Sequence, residues 1–166
     1  MDGIIYKYDL VTKEPLFQFR SIHSPAMSLY DKDDKLCVCS DSEIRLWDFF
    51  DHREEAPELI SIEITPIKIE LAWINKNSKE FQGLFVSGRE YIFYTGRLKK
   101  IFHDSLEDEI ATITSAEFSY DEKALFLGTS RGKIIRLDAE TGKQEGNAIT
   151  VQDDKKITHL VRFKGM

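Results

Sequence analysis

An all-β fold made of repeated small sheets is predicted from three features of the sequence. Apolar residues come in short runs of β-branched and aromatic side chains, between loops rich in Asp, Lys, Glu, Ser and Gly, as is typical of short strands. One such run recurs as IIYKYD, IRLWD and IIRLD, with YIFYTG as a divergent copy. The copies, aligned on Tyr8, Trp47, Tyr94 and Leu137, lie 39, 47 and 43 residues apart. These intervals bracket the ~40–45 residues of a four-stranded propeller blade, so we predict a β-propeller.

The individual strands are predicted from runs of apolar residues that are bounded by turn residues. There are fifteen of them in the sequence. In chain order they are Ile4–Tyr8, Leu16–Phe19, Ala26–Tyr30, Leu36–Ser40, Glu43–Asp48, Leu59–Ile64, Ile67–Trp73, Leu84–Ser87, Glu90–Tyr94, Leu98–Phe102, Ile110–Phe118, Ala124–Thr129, Lys133–Asp138, Ala148–Val151 and Ile157–Phe163.

Two longer segments share the same order of elements, a strand, an acidic turn and a second strand. They are MSLYDKDDKLCVCSDS at 27–42 and AEFSYDEKALFLGTSRG at 116–132, and each turn has the Asp and Lys residues of a tight hairpin. In the middle repeat Trp73 ends the corresponding strand, and the longer connection INKNSKEFQG follows it. Such an insertion is compatible with the repeat because loops lie on the surface.

On these residues the chain resembles the WD-repeat family of β-propellers. Leu46-Trp47-Asp48 matches the signature dipeptide, and Asp41, six residues before the tryptophan, matches an aspartate that hydrogen-bonds within the blade in that family. Asp2 stands in the same relation to Tyr8, and His23 resembles the histidine before the innermost strand. The residues that the resemblance implies as the structural repeat signature are Asp2, Asp9, His23, Asp41, Trp47, Asp48 and Asp138.

The sequence also departs from the family pattern in three respects. Ile22 replaces the glycine that usually precedes the histidine, and Arg131 stands where the last full repeat should have its aspartate. The Trp-Asp pair occurs in one repeat of the four. The resemblance therefore rests on the period and the order of strands more than on the motif itself.

The repeats predict one β-propeller domain over residues 1–166, with about three complete four-stranded blades and partial blades at both ends. Its approximate units are residues 1–20, 21–64, 65–103, 104–152 and 153–166. A closed ring of four blades would need sixteen strands, and known propellers have 4 to 8 blades, so we expect an incomplete ring. Three hypotheses are compatible with this expectation: a piece of a longer protein, a ring closed by a partner chain, or four blades that close on themselves.

Composition narrows the classes of function. Of 166 residues, 42% are hydrophobic and 31% charged, as in a globular protein, and the net charge of -6 disfavours a surface that neutralises phosphates of duplex nucleic acid. The only cysteines, Cys37 and Cys39, are too few and too close in sequence to form a disulfide framework. We therefore expect an intracellular, cytoplasmic protein. A place in a nuclear, cytoskeletal or ciliary assembly is also compatible with this. We expect no secretory leader and no membrane span, since MDGIIYKYDL lacks a basic start and a long apolar core.

Several motifs could support chemistry, but each also has a structural explanation. Cys37 and Cys39 share one face of a strand, yet two thiols lack the further ligands of a zinc site, so we expect no metal and no cofactor. His103-Asp104-Ser105 contains the residue types of a hydrolytic triad, without a nucleophile motif such as G-x-S-x-G. A hydrolase that uses His103, Asp104 or the cysteine pair is therefore an alternative function.

Two further segments suggest ligands of the phosphate or nucleic-acid type. The stretch GTSRGK at 128–133 resembles a phosphate-binding loop but lacks its spacing and its helix, so a hairpin turn is predicted. The basic residues Arg89, Arg97, Lys99 and Lys100 alternate with aromatic ones, which could bind a single-stranded nucleic acid. The aromatic residues in question are Tyr91, Phe93, Tyr94 and Phe102.

The leading functional hypothesis is a non-catalytic scaffold whose blade faces and loops bind other proteins within a larger intracellular assembly. The family resemblance implies this role, and it implies protein partners, among them a chain or segment that completes the propeller. No small-molecule substrate is expected.

Overall fold

A computed structural model describes residues 4–20, 28–32, 35–48 and 57–162. Within these ranges the chain forms fourteen β-strands, arranged in three four-stranded sheets and one two-stranded sheet in which chain neighbours pair. The strands are β1 Ile4–Tyr8, β2 Pro15–Arg20, β3 Ser28–Lys32, β4 Lys35–Ser40, β5 Glu43–Asp48, β6 Glu58–Ile64, β7 Leu71–Ile74, β8 Gln82–Ser87, β9 Glu90–Thr95, β10 Lys99–Ser105, β11 Ile113–Phe118, β12 Ala124–Thr129, β13 Lys133–Asp138 and β14 Ile149–Thr150.

The four sheets consist of strands that follow one another in the chain. We call β1–β2 the half-blade, β3–β6 blade A, β7–β10 blade B and β11–β14 blade C. The predicted all-β class, with complete four-stranded blades and a partial blade at the amino-terminal end, is confirmed. The chain divides into two compact units: the first, up to Leu71, contains the half-blade and blade A, and the second, from Ala72, contains blades B and C.

In the first unit, the half-blade packs on one face of blade A. Ile5 and Trp47 contact Leu36 and Val38, and Val38 is fully buried. Leu36 pairs with Trp47 across β4 and β5, so the two side chains share a face of the sheet. On the other face of the same strands, Cys37, Cys39, Ile44 and Leu46 are buried.

In the second unit, the main core lies between blades B and C. Blade B contributes two cross-strand pairs to it, Leu84 with Phe93 and Val86 with Tyr91, all between 0% and 3% exposed. Blade C contributes Ala116, Phe118, Leu125, Leu127 and Leu137. Truncating a buried leucine in such a core typically costs about 2–5 kcal/mol, so this contact holds the two blades together.

The predicted acidic hairpin of blade C is confirmed in detail. The Ser119 amide donates to the Ala124 carbonyl oxygen at 2.9 Å, and the Ala124 amide donates to Ser119 Oγ at 2.9 Å. Asp121 Oδ1 accepts bonds from Ser119 Oγ at 2.7 Å and from the Lys123 amide at 3.2 Å. These bonds lower the pKa of Asp121 below its usual value, the bond from Ser119 most of all. Glu122 completes the turn with a left-handed φ of 61°.

Several predicted strand ends shift by up to three residues, as at β11, which begins at Ile113 and not at Ile110, and two predicted strands differ more. The strand predicted at Ile67–Trp73 begins only at Leu71, because the Ile69 amide donates to the carbonyl oxygen of Asp41 and not to a neighbouring strand of blade B. Residues 157–162 of the strand predicted at Ile157–Phe163 are not a strand, and Phe163 lies outside the described residues.

Residues 155–162, which we call the strap, lie against blade C. The Ile157 amide donates to the Thr129 carbonyl oxygen at 3.0 Å, and the Ile157 carbonyl oxygen accepts from Thr114 Oγ1 at 2.6 Å. Further along, Arg162 donates to the carbonyl oxygen of Ser119 at 3.0 Å. Isolated bonds of this kind fix the position of the strap without forming the ladder that defines a strand. In the part of the chain that the structure describes, no helix is long and apolar enough to cross a bilayer.

Candidate functional site

The turn that follows β1 is fixed by the side chain of Asp9. Its Oδ1 accepts hydrogen bonds from the amides of Val11 at 2.7 Å and Thr12 at 2.9 Å, an Asx turn. The Asp9 carbonyl oxygen accepts from the Lys13 amide at 2.8 Å, and the Asp9 amide donates to the Glu14 carbonyl oxygen at 3.0 Å. Lys13 has a left-handed φ of 62°. The turn is therefore well defined although it projects from a two-stranded sheet.

The turn that follows β13 has the same hydrogen bonds. Asp138 Oδ1 accepts from the amides of Glu140 at 3.1 Å and Thr141 at 2.7 Å, and also from Thr141 Oγ1 at 2.7 Å. The Gly142 amide donates to the Asp138 carbonyl oxygen at 2.8 Å, and the Asp138 amide donates to the Lys143 carbonyl oxygen at 2.9 Å. The bonds from Thr141 are the main cause that lowers the pKa of Asp138. DLVTK and DAETG are thus two copies of one structural motif.

The two turns differ in what they expose, and this difference marks a candidate interaction site. Leu10 and Val11 are 91% and 90% exposed, whereas the matching residues of the second turn are Ala139, 8% exposed, and the polar, exposed Glu140. Because the second turn forms the same bonds without large apolar side chains, Leu10 and Val11 are not needed for the turn. We call this pair the exposed turn pair. Two adjacent, almost fully exposed apolar side chains that the turn does not need make it a candidate interaction site.

The outward face of β1 is a second exposed apolar surface. Tyr6 and Tyr8 are 51% and 54% exposed, their rings stack at 6.4 Å between centroids, and Ile4 on the same face is 36% exposed. Gln18, which pairs with Tyr6, is also exposed. Sequence reasoning placed Tyr6 and Tyr8 in a strand but did not identify the face as a surface.

His103, Asp104 and Ser105, the residue types of the alternative hydrolase, follow one another along β10. His103 and Asp104 are neighbours on β10 and are both exposed, and successive residues of a strand point to opposite faces. His103 Nε2 lies 3.7 Å from Glu90 Oε2, and Asp104 Oδ1 accepts a bond from the Ser105 amide at 2.8 Å. The structure therefore gives each of these side chains a local role within blade B.

The two cysteines are reduced and buried within blade A. Cys37 pairs with Leu46 and Cys39 with Ile44, so both thiols lie on one apolar face of the sheet, as their spacing predicted. Burial, and next the proximity of Cys39, raise the pKa of the Cys37 thiol well above its usual value. A raised pKa leaves little of the reactive thiolate at neutral pH. Among the described residues, no three His, Cys, Asp or Glu side chains come together as metal ligands would.

The segment 128–133, which resembles a phosphate-binding loop in sequence, lies at the β12–β13 hairpin, as predicted. The Lys133 amide donates to Thr129 Oγ1 at 3.1 Å, and Gly132 has a left-handed φ of 73°. Arg131 Nε pairs with Asp154 Oδ1 at 2.6 Å. The Lys133 ammonium, the cation that would face a phosphate, lies 3.8 Å from Asp108 Oδ2, and the amides of Ser130, Gly132 and Lys133 donate to protein oxygens.

The basic and aromatic residues of β9 and β10 do not form a base-stacking surface. Tyr91, Phe93 and Tyr94 are 3%, 2% and 0% exposed, and the Phe102 ring lies against the Phe93 ring with centroids 5.3 Å apart. Stacking needs open aromatic faces. The interpretation as a single-strand binding surface is therefore wrong for these rings.

The remaining signature residues are only partly described. Asp2 and His23 lie outside the described residues. Asp41 is exposed in the turn between β4 and β5, Trp47 is half-buried against Leu36, and Asp48 ends β5. The polar network that the family resemblance implies for Asp41 stays a prediction.

Sequence reasoning also missed Glu122, which links two hairpins of the second unit. Its Oε2 accepts bonds from Ser78 Oγ at 2.6 Å and from Gln82 Nε2 at 3.3 Å. Gln82 Oε1 in turn accepts from Asn75 Nδ2 at 2.8 Å. Because Ser78 and Asn75 lie in the long connection of blade B and Glu122 in the turn of blade C, no local pattern in the sequence indicates the contact.

Comparison with known proteins supports the fold. The chain is similar to the crystal structure of the β-propeller domain of Cps50 (Swd1) from Myceliophteria thermophila, with a TM-score of 0.68 and 18% identity over 96% of this chain. The match covers 53% of that domain, so this chain spans about half of its length. No protein-family model and no curated protein sequence matches the chain. The likeness shows that the fold is that of a β-propeller.

Proposed function

We propose that this chain is a non-catalytic scaffold, part of a β-propeller of the WD-repeat type, that binds other proteins within a larger intracellular assembly. The propeller fold and the match of Leu46-Trp47-Asp48 to the family signature support the WD-repeat type. The cysteine content of the sequence, Cys37 and Cys39 alone, is too low for a disulfide framework and supports a reducing compartment such as the cytoplasm. Because one fold hosts many functions, the site must support the role.

The observation that supports binding most directly is the exposed turn pair. Leu10 and Val11 are held by the Asp9 hydrogen bonds in a position where they contact water almost completely. Burying each of these side chains against a partner would contribute about 1.5–3 kcal/mol. A turn that is already held by hydrogen bonds loses little conformational entropy on binding, so the ordering of the turn subtracts little from this free energy.

The second turn supplies a test with a matched control. The double change Leu10→Ala with Val11→Glu converts the exposed pair into the Ala-Glu of the second turn, and it should leave the thermal stability of the chain unchanged. In cells, a photoreactive phenylalanine analogue at Val11 should cross-link to a distinct protein, and the same analogue at Glu140 should not. Without the cross-linker, the double change should reduce the amount of that protein that co-purifies with the chain at least tenfold, since 1.4 kcal/mol corresponds to a tenfold change in affinity. Identical cross-linked products from both positions would contradict the proposal.

A further inference from the structure

Five basic side chains lie together at one end of blade B, which we call its basic end. All five are exposed, and they are Lys76 and Lys79 in the β7–β8 connection and Arg97, Lys99 and Lys100 at the β9–β10 turn. The two segments adjoin, because the Gly96 amide donates to the Phe81 carbonyl oxygen at 2.8 Å. Residues 75–81 and 95–100 contain a single carboxylate, Glu80, so the basic end has an excess of four positive charges.

The backbone that presents these cations is fixed by buried residues between them. In the β7–β8 connection, Asn75 and Ser78 precede the two lysines, are each 2% exposed, and donate side-chain hydrogen bonds within the second unit. At the β9–β10 turn, Leu98 is 5% exposed and has a left-handed φ of 59°. The cations therefore project from backbone that is already ordered, and a ligand would have to order only their side chains.

The lysines of the basic end differ from other cations of the second unit in what they contact. Arg131 pairs with Asp154 at 2.6 Å, and Arg136 pairs with Glu145 at 2.7 Å. Among the described residues, no carboxylate forms an ion pair with any of the four lysines of the basic end. Like charges that are held close together repel one another, and a bound anion would relieve that repulsion.

The surroundings of the basic end favour a short acidic segment of protein over a nucleic acid. The end adjoins the β11–β12 turn of blade C through the bond from Ser78 to Glu122, and that turn adjoins the β13–β14 connection, where the Ala139 amide donates to the Lys123 carbonyl oxygen. These two segments contain the exposed carboxylates Asp121, Glu140 and Glu145. A phosphate backbone that continued from blade B onto blade C would meet them, and the buried rings of β9 cannot stack on bases.

We propose that the basic end of blade B binds a short acidic segment of a protein partner, whose carboxylates pair with lysines of both turns. This surface is separate from the exposed turn pair, and it adds a class of partner to the scaffold role. The opposite end of blade B has the exposed carboxylates Glu90, Asp104, Glu107 and Glu109. Oppositely charged ends orient an acidic segment toward the basic end as it approaches, which raises the rate of association.

Fluorescence anisotropy of a labelled octapeptide in which Glu and Ser alternate tests the proposal on the intact chain. The peptide should bind, and binding should weaken as the ionic strength rises from about 0.05 to about 0.5 M, because salt screens exposed charges. The same peptide with Gln in place of Glu should not bind. Lys99→Glu combined with Lys100→Glu should weaken binding about tenfold, because two ion pairs are replaced by repulsion.

The strap supplies a matched control for this double change. Lys155 and Lys156 are also adjacent and exposed, but they follow two aspartates and lie beside the β12–β13 hairpin, at the opposite end of blade C from the β11–β12 turn. Lys155→Glu combined with Lys156→Glu changes the net charge equally, so it should leave the affinity within about twofold of the unchanged chain. Equal losses from the two double changes would overturn the proposal, since net charge alone would then explain the binding.

Two further measurements separate the proposal from its alternatives. Lys76→Glu combined with Lys79→Glu should weaken binding as much as the change at the β9–β10 turn, and no effect would show that the two turns do not form one surface. A single-stranded octanucleotide that binds as tightly as the acidic peptide, and that depends on Lys99 and Lys100, would overturn the proposal in favour of a nucleic acid. Absence of peptide binding at low ionic strength would also overturn it. None of these variants alters Leu10 or Val11, so the test of the exposed turn pair is independent.

Discussion

Replacing Glu122 by glycine sets two physical effects of similar size against each other. Glu122 has a φ of 61°, which costs an L-residue about 1 kcal/mol that glycine would recover. The same residue accepts a short bond from the buried Ser78 hydroxyl and a longer one from Gln82. A hydrogen bond to a charged group contributes about 1.5–3 kcal/mol.

The bonds should outweigh the backbone strain. We expect Glu122→Gly to lower the free energy of unfolding of blades B and C by about 1–2 kcal/mol. Lys13→Gly is the matched control, because Lys13 has a φ of 62°, is exposed, and has a glycine, Gly142, at the equivalent position of the second turn. It should stabilise its turn by about 1 kcal/mol.

The assay must resolve the two compact units, since a chain with more than one compact unit need not unfold in a single two-state transition. Hydrogen–deuterium exchange across a urea series, read on peptides from β11–β12 for Glu122 and from β1–β2 for Lys13, gives a midpoint for each region. Glu122→Gln, which keeps the length of the side chain, should have a smaller effect than Glu122→Gly. If Glu122→Gly stabilises β11–β12 as much as Lys13→Gly stabilises β1–β2, the bonds of Glu122 contribute nothing.

Two further predictions concern the contacts of blades B and C. Gly142 has a φ of 73°, and Gly142→Ala would place a methyl group 2.5 Å from Cγ of Phe102. The control is Gly146→Ala, at a φ of 71° with no atom within 4 Å of the added methyl group. Gly142→Ala should lower the thermal midpoint of the protein more than Gly146→Ala does. Equal losses would show that Phe102 yields without cost. Burial, then Asp104 and Glu107, raise the pKa of Tyr91 from 10.0 to about 12, so the unfolded chain releases this proton first and stability should fall as pH rises from 10 to about 12. In urea unfolding between pH 10 and about 12, the midpoint of Tyr91→Phe should fall less with rising pH than that of the unchanged protein. An equal fall in both proteins would show that Tyr91 is not the group responsible.

The period and strand order of the blades could be predicted from the sequence, because the third strand of each blade is a strongly apolar run. The start of β7 and the state of residues 157–162 could not, since a strand exists only where a partner completes its ladder. Whether Ile69 donates to β-strand neighbours or to the Asp41 carbonyl oxygen is decided by the turn of blade A, far away in sequence. Local propensity contains no information of that kind.

The candidate site was predicted less well than the fold, for a related reason. The expected alternation of buried and exposed residues fails in β9, where Tyr91, Ile92, Phe93 and Tyr94 are all buried. A strand buried on both faces appears as one continuous apolar run, and its aromatic residues cannot contact nucleic acid. The exposed turn pair could have been found, because DLVTK and DAETG align and differ at the two positions that matter.

The composition of the third strands also indicates how tightly each blade face is covered. Phe93 in blade B is fully enclosed, but its counterpart in blade C is Arg136, which pairs with Glu145 at 2.7 Å and lies 5.9 Å from the ring of Phe126. A charged pair beside an aromatic anchor resembles the polar rim of a reversible interface more than a permanent core. Packing against this face of blade C should therefore be weaker than the packing of blade C on blade B.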